Sequence, residues 1–329
     1  MQVRDFTPAR ALRGGYDILH THWPEKPLMV SGRAARLAGA VAGRAVFEAA
    51  RLHGASVVWT THNALPHEGR DTALQRWYWS GVVRRVDAVI HPSSASQTAV
   101  EARYPAMATV PRAVVRMGHF RGSYPDGVSR EEARAAFGIA ADATVLTFIG
   151  LVRPYKNVPH LIRTVQALPP QRNAVLLVGG EPLHARLAAE IERAADGDPR
   201  VRLDLRHVPE EDVQRFLRAA DLVVLPFTDI TNSGSALLAL SFDRPVLVPC
   251  RGAMGELQSL VGSDWVRTYH GELTPAVLEE AIASARAQPD GAPDLSPLNW
   301  RTIAEQTLAV YRAVRGGAVA VAGGSSPNA

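Results

Sequence analysis

The sequence predicts an α/β fold made of two doubly wound units, each a parallel sheet with crossover helices. Three observations predict it. Short apolar runs alternate with longer amphipathic stretches along most of the chain. That alternation breaks once, at the turn-rich RGSYPDG (121–127), and then restarts. A length of 329 residues exceeds one typical domain and suits two.

In chain order, DILHTH (17–22) reads as a strand ending in polar residues, and 34–53 as a helix with small and apolar residues at helical spacing. SVVWTT (56–61) reads as a strand, 73–86 as a helix, 88–91 as a strand, 94–103 as a helix and 111–115 as a strand. These assign residues 1–125 to a first domain. After the junction, 144–149, 174–178, 201–205, 222–225 and 245–248 read as strands, and 158–168, 183–195, 210–219 and 235–241 as helices. They assign 126–297 to a second domain. Residues 298–314 (LNWRTIAEQTLAVYRAV) form a last amphipathic helix, and the Gly/Ala/Ser-rich stretch 316–329 is expected to be flexible.

Composition narrows the function. Apolar residues make up 47% and charged residues 21%, enough for two cores. The single cysteine, Cys250, excludes a disulfide framework and a cysteine-based zinc site. No run reaches the roughly 20 apolar residues of a membrane span, and no signal segment is evident, so a cytoplasmic setting is expected. Net charge is +4, but residues 1–125 hold 16 Lys and Arg against 8 Asp and Glu. A basic first half suits an anionic partner, with peripheral contact at the inner face of a membrane as one form of it. Nucleic acid is not expected, since the arginines are scattered and not interleaved with aromatic residues.

The polar residues collect beyond the C-terminal ends of the strands, where doubly wound sheets bind ligands. After LVVLPF, Asn232-Ser233-Gly234-Ser235 opens an apolar helix. Ser and Asn suit the cap, Gly admits a ligand to the backbone, and the helix dipole favours an anion such as a diphosphate. In FIGLVRPYKN, Arg153 and Lys156 follow a strand end and would neutralise that diphosphate, with Asn157 beside them. In LLVGGEP, Glu181 follows a Gly pair and can bind ribose hydroxyls. Each piece taken alone also has a plain structural reading, as a capped helix or a solvated loop.

The order and spacing of DILHTHWPE, VVWTTHN, DAVIHPSSAS, FIGLVRPYKN, LLVGGEP, DLVVLPF and SGSALLALSFDRPVLVP resemble the GT-B glycosyltransferases of the family 4 type, on the bacterial exopolysaccharide branch that includes mannosyltransferases. The resemblance runs from about residue 16 to 314. It implies two Rossmann-like domains facing across a cleft, a nucleoside diphosphate sugar donor in the second, an acceptor in the first, and a crossover helix at 298–314. It also implies that no metal or other cofactor is needed. GDP- or UDP-sugars are the expected donors, and a saccharide, lipid-linked or small-molecule compound the acceptor. A nucleotide-sugar epimerase of the same fold and a non-catalytic nucleotide-sugar-binding subunit are the alternatives. Three departures from the family pattern appear. Its two Glu residues around the phosphate-site helix are Ile230 and Leu238 here, its His-Gly pair is Met117-Gly118 followed by His119, and its first strand is missing ahead of DILHTH.

The catalytic candidates follow from position and from the resemblance. His62 lies just past a strand end and could act as base or bind the donor sugar, with Asn63 on the sugar side. Glu68 is a loop carboxylate able to act as base, and Glu25 a second one. His22 is expected on the acceptor side and His119 near the donor sugar. His20-x-His22 lacks a third ligand at suitable spacing, so no metal site is expected.

Overall fold

The computed structural model describes residues 1–62, 72–286 and 291–316. Asn63, Glu68 and the stretch 317–329 of the expected tail lie outside the described residues. The chain divides into two compact units. One holds Met1–Met117 together with the segment from Trp300 onward, and the other is Gly118–Asn299.

The first unit runs α1 (Pro8–Arg13), β1 (Ile18–Thr21), α2 (Arg33–Leu52), β2 (Ser56–Thr60), α3 (Ala73–Val83), β3 (Ala88–His91), α4 (Ser94–Arg103) and β4 (Arg112–Val114), and is completed by the C-terminal helix Trp300–Gly316. Its four strands pair in parallel in the order β1-β2-β3-β4. Successive residues of a strand face opposite sides. Val57, Trp59 and Val89 therefore pack with Phe47, Tyr78, Trp79 and Val100 of the three crossover helices. Val58, Ala88 and Ile90 face the other way, against Ile303 and Val310 of the C-terminal helix. Burial on both faces explains why these strands read as continuous apolar runs. The strand order shows no reversal, so the second face is covered by the C-terminal helix rather than by a second winding.

Local signals place the helix starts. Thr72 and Gln75 form a capping box on α3, and Ser93 caps α4 by accepting from Ser96 N. Gly43 of α2 leaves room for Tyr78 Oη and the Pro27 ring, each about 3 Å from where a Cβ would stand.

The second unit runs α5 (Arg130–Ala136), β5 (Thr144–Ile149), α6 (Val158–Gln166), β6 (Ala174–Gly179), α7 (Ala185–Ala195), β7 (Val201–Asp204), α8 (Glu210–Ala219), β8 (Leu222–Val224), α9 (Gly234–Ser241), β9 (Val246–Pro249), α10 (Met254–Val261), β10 (Val266–Tyr269) and α11 (Pro275–Arg286). Its sheet is parallel throughout, in the order β10-β9-β8-β5-β6-β7. That is a doubly wound sheet whose order reverses between β5 and β8, the place where such sheets bind ligands. The N-terminal ends of these two strands are pinned by the buried Asp221. Its carboxylate accepts from Val145 N at 2.7 Å and from Arg134 Nη2 at 2.8 Å. The sheet core, including Leu146, Phe148, Leu176, Val178 and Val223, is fully buried.

Candidate functional site

At the switch point β5 ends and the chain turns through Gly150, at φ +123°. A side chain there would be strained. A Cβ at Gly150 would stand 3.4 Å from Ser235 Oγ and 3.5 Å from Lys156 Nζ. A hydroxyl from the first turn of α9 and an ammonium from the loop after β5 thus converge over bare backbone. Gly180, at φ +142°, sits equally close: a Cβ on it would come within 2.1 Å of Gly150 O. Only glycine permits the ends of β5 and β6 to meet in this way.

Backbone contacts fix the loops that carry these groups. Val152 N donates to Glu181 O and Leu183 N to Val152 O, both at 2.9 Å. Thr228 N donates to Tyr155 O at 2.8 Å, tying the loop after β8 to the loop after β5. Lys156 closes a short 3-10 turn, Pro154–Lys156, and Asn157 then takes the left-handed conformation (φ 56°) that lets α6 start.

Lys156 is only 9% exposed. Its ammonium lies 5.8 Å from the Phe148 ring centre and 5.5 Å from that of Phe227. Burial, with Arg153 nearby, pulls its pKa down to about 8. Among the described residues no carboxylate forms an ion pair with it. A buried cation without a counterion is costly, and an anion over Gly150 would supply one. The N-terminus of α9 adds to the attraction, because the first amides of a helix lack intrahelical partners and carry its positive dipole end. Ser233 caps that helix, accepting from Ala236 N at 3.1 Å, so its hydroxyl is spent on the helix. Gly234 and Ser235 open the helix, and Asn232 is half-buried just before it. Arg153 is half-buried, and the Glu181 side chain is exposed beyond β6. His119 belongs to this unit. Its amide donates to Leu298 O, and its Nδ1 accepts from Arg121 N at 3.3 Å.

The first unit gathers a second cluster beyond β1 and β2. His20 is held on both ring nitrogens, Nδ1 at 2.5 Å from Tyr311 Oη and Nε2 at 2.7 Å from Thr60 Oγ1. His22 Nδ1 lies 2.9 Å from His62 Nε2, and the two rings stack with centres 5.2 Å apart. Trp23 stacks on His62 at 4.9 Å, with the Lys26 ammonium 5.0 Å from the indole centre. Burial lowers the pKa of all three histidines. His20 falls to about 3, helped by its neighbours His22 and His62, and His62 to about 4, helped by His22. At neutral pH the rings are uncharged, so in the His22–His62 bond one nitrogen donates and the other accepts, and the two tautomers are coupled. Glu25 is buried beside them in sequence. Burial raises its carboxyl above the usual range, against the opposing pull of its own backbone and of Lys26. Among the described residues no group of three or more His, Cys, Asp and Glu side chains is arranged to hold a metal ion.

The structure therefore brings Lys156 and Ser235 together over Gly150, and His22 together with His62. The sequence marks Gly150 as a strand end and the Gly179-Gly180 pair as a place of close approach, but does not single out Phe148, Phe227 or Tyr311. The positions of Gly150 and of the Gly179-Gly180 pair right after strand runs were the available signal. The pairing of Tyr311 with His20 had none.

A doubly wound unit with Lys156, Ser235 and Gly150 gathered at its switch point, next in sequence to a parallel-sheet unit closed by the C-terminal helix, has the architecture of the GT-B glycosyltransferases. The family model described as "Glycosyl transferases group 1" matches residues 143–285. A GDP-mannose:glycolipid 4-beta-D-mannosyltransferase of Xanthomonas campestris pv. campestris is 32% identical over 312 residues, covering 94% of this chain and 84% of that protein. An alpha-maltose-1-phosphate synthase of Mycolicibacterium smegmatis is 27% identical, over 81% of this chain and 75% of its own length. Among solved structures, the sucrose-phosphate synthase of Thermosynechococcus elongatus superposes with TM-score 0.67 at 18% identity, over 92% of this chain and 75% of that one. HepE of Anabaena, in complex with UDP, superposes with TM-score 0.64 at 20% identity, over 92% and 82%. The chain belongs to the group 1 glycosyltransferases.

Proposed function

We propose that this glycosyltransferase binds a GDP-sugar, with GDP-mannose first in order, through the second unit, and delivers the sugar to a lipid-linked saccharide. Lys156 carries the donor-side reading: a buried cation with no carboxylate partner among the described residues, set 3.5 Å from the Cβ position of Gly150 at a switch point. In this reading Lys156, Arg153, Ser235 Oγ and the first amides of α9 hold the diphosphate and stabilise it as it leaves. Asn157, Asn232, Ser233, Gly234 and Glu181 complete the donor pocket. The Xanthomonas relative is named for GDP-mannose and a glycolipid, which supports the choice of both substrates.

On the acceptor side, His62 and Glu25 are the proposed proton acceptors. His22 orients His62, Asn63 and His119 bind sugar, and Glu68 is a further candidate base. The chain works at the inner face of the cytoplasmic membrane, in peripheral contact with it. Titration calorimetry against GDP, UDP, ADP and dTDP tests the donor reading. GDP is expected to bind most tightly, and failure of all four at millimolar concentration would overturn it. Transfer of labelled mannose from GDP-mannose into a lipid extract tests the acceptor. Label appearing only in a rearranged nucleotide sugar would favour an epimerase instead.

A further inference from the structure

Two threonines close the β2 segment, and a histidine from a different neighbouring strand holds each hydroxyl. Thr60 is the last residue of β2 and Thr61 follows it. Successive residues of a strand face opposite sides. Thr60 therefore lies on the side of Val58, toward the C-terminal helix, and Thr61 on the side of Trp59, toward the crossover helices. Thr60 Oγ1 is 2.7 Å from His20 Nε2, and His20 Nδ1 is 2.5 Å from Tyr311 Oη. On the other face Thr61 Oγ1 is 2.9 Å from Nδ1 of His91, the last residue of β3. The Thr61 amide also donates to Ile90 O at 2.9 Å. The next residue is His62.

Stability does not explain these pairs. Thr60 is 7% exposed, and Thr61 and His91 are fully buried. Just before them in the same strands, the same two layers are filled by Val58, Trp59, Val89 and Ile90. Replacing both partners of a buried polar pair by apolar groups of like shape is close to neutral or stabilising. His91 adds a cost of its own. Its Nε2 is buried with no hydrogen-bond partner among the described residues, an unmet polar atom that an apolar side chain would not carry. Burial pulls His91 down to about 4, against the opposing pull of Glu101, and His20 to about 3. Both rings are uncharged at neutral pH, so each presents one donor and one acceptor nitrogen. Burial raises the Tyr311 phenol, which stays protonated. The contacts are directional bonds between neutral groups, suited to fixing a position.

We infer that Thr60 and Thr61, held from opposite faces by His20 with Tyr311 and by His91, form a clamp that fixes the place of the His62 imidazole. Two consecutive anchored side chains remove the twist about β2 that a single anchor would leave. His62 then meets His22 at 2.9 Å and stacks on Trp23. The clamp residues are positioning residues that act through His62, and their weight in transfer rests on the proposed role of His62 as proton acceptor. Tyr311 brings the C-terminal helix into the same device, so the seating of that helix and the seating of His62 are coupled.

The test has a geometric arm and a catalytic arm. In magnetic resonance spectra of the full chain with nitrogen-labelled histidine, the His62 ring signals are assigned by their loss in His62→Ala. They should move in Thr60→Val and Thr61→Val and return in Thr60→Ser and Thr61→Ser, which keep the hydroxyl. Tyr311→Phe should move them too, and carries the test from the helix side should a valine variant fail to fold. Transfer of labelled mannose from GDP-mannose into a lipid extract should slow about tenfold or more in the valine variants, since a misplacement of about 1 Å can cost on the order of 100-fold. The KM for GDP-mannose and the circular dichroism should stay as in the parent chain. Made on top of His62→Ala, the same changes should slow transfer no further, as groups acting as a unit are not additive. Unmoved His62 signals in the folded variants would overturn the inference. So would losses that persist in full on the His62→Ala background, the mark of a general structural role. Moved signals beside an unimpaired His62→Ala enzyme sink the proton-acceptor reading alone, whereas an impaired His62→Ala enzyme with unmoved signals sinks this inference alone.

Discussion

Lys156 offers a measurement in which two pH effects of opposite sign come from one side chain. Its folded pKa is about 8, against 10.5 for an unburied lysine, through burial and the nearby Arg153. A diphosphate needs the charged form. The protonated fraction falls roughly tenfold between pH 7 and pH 9, and nucleoside diphosphate affinity should fall by about the same factor. The ligand-free protein behaves oppositely. Between about pH 8 and 10.5 the unfolded chain holds a proton that the folded chain has released, so stability rises with pH through that window, by at most about 3 kcal/mol. Lys156→Met should flatten both trends. It should also cost about 1.5–3 kcal/mol of diphosphate binding, the value of a charged hydrogen bond, while leaving nucleoside binding in place. Titration calorimetry at several pH values, with urea unfolding of the ligand-free chain, reads both effects. Affinity that stays flat from pH 7 to 9, or equal losses of nucleoside and nucleotide affinity in the variant, would refute the placement of Lys156 against phosphate.

Other outcomes follow from the same geometry. Gly150→Ala puts a methyl group into the space shared by Ser235 Oγ and Lys156 Nζ, at a strained φ. It should weaken nucleotide binding more than tenfold in calorimetry, and unchanged affinity would place the phosphate elsewhere. Gly180→Ala drives a Cβ to 2.1 Å from Gly150 O and should cost on the order of 3 kcal/mol or more in urea unfolding. Ser233→Ala removes the cap of α9 and should cost about 1 kcal/mol by the same measurement. His20 and His62, at about 3 and 4 in the folded protein, lie below the unfolded value of 6.5, so the stability they confer is present above pH 6.5 and lost as pH falls toward 4. Melting temperature should drop across that range, and the slope should shrink in His20→Asn; an identical slope would show that His20 is not the source.

The strands and long helices were legible because their burial leaves a direct mark. Runs such as TVLTFI and AVLLV are buried on both faces and so read as unbroken apolar stretches. The elements that escaped include short or edge ones, and also α10 and the 12-residue α11, which lie in the stretch between 248 and 298 where no element was assigned. β10 is VRTY, an edge strand with two half-buried residues, and α1 is a six-residue helix. α5 did carry a signal, the Ser129–Glu132 capping box, which a closer search for caps would have found. In the second unit's site, Lys156 and Ser235 were legible as residue types after strand ends, but their meeting at Gly150 depends on a strand order of β8 next to β5. Pairing of strands so far apart in sequence leaves no local trace. The cover of the first unit's sheet by the C-terminal helix leaves no local trace either, since nothing near residue 58 signals Ile303 or Val310, and only the family resemblance implied a crossover helix there.

That discontinuity bears on how the chain is made. Val58, Ala88 and Ile90 are translated early, but Ile303 and Val310, which cover them, come some two hundred residues later. The second unit, contiguous from Gly118 to Asn299, can complete its fold during synthesis, in keeping with domains folding as units as they emerge. The first cannot. Until the C-terminal helix arrives, one face of its sheet is an open apolar surface on a nascent polypeptide, the kind of surface that chaperones hold. A stop codon shortly before Trp300 would strand the protein in that state with its second unit already formed.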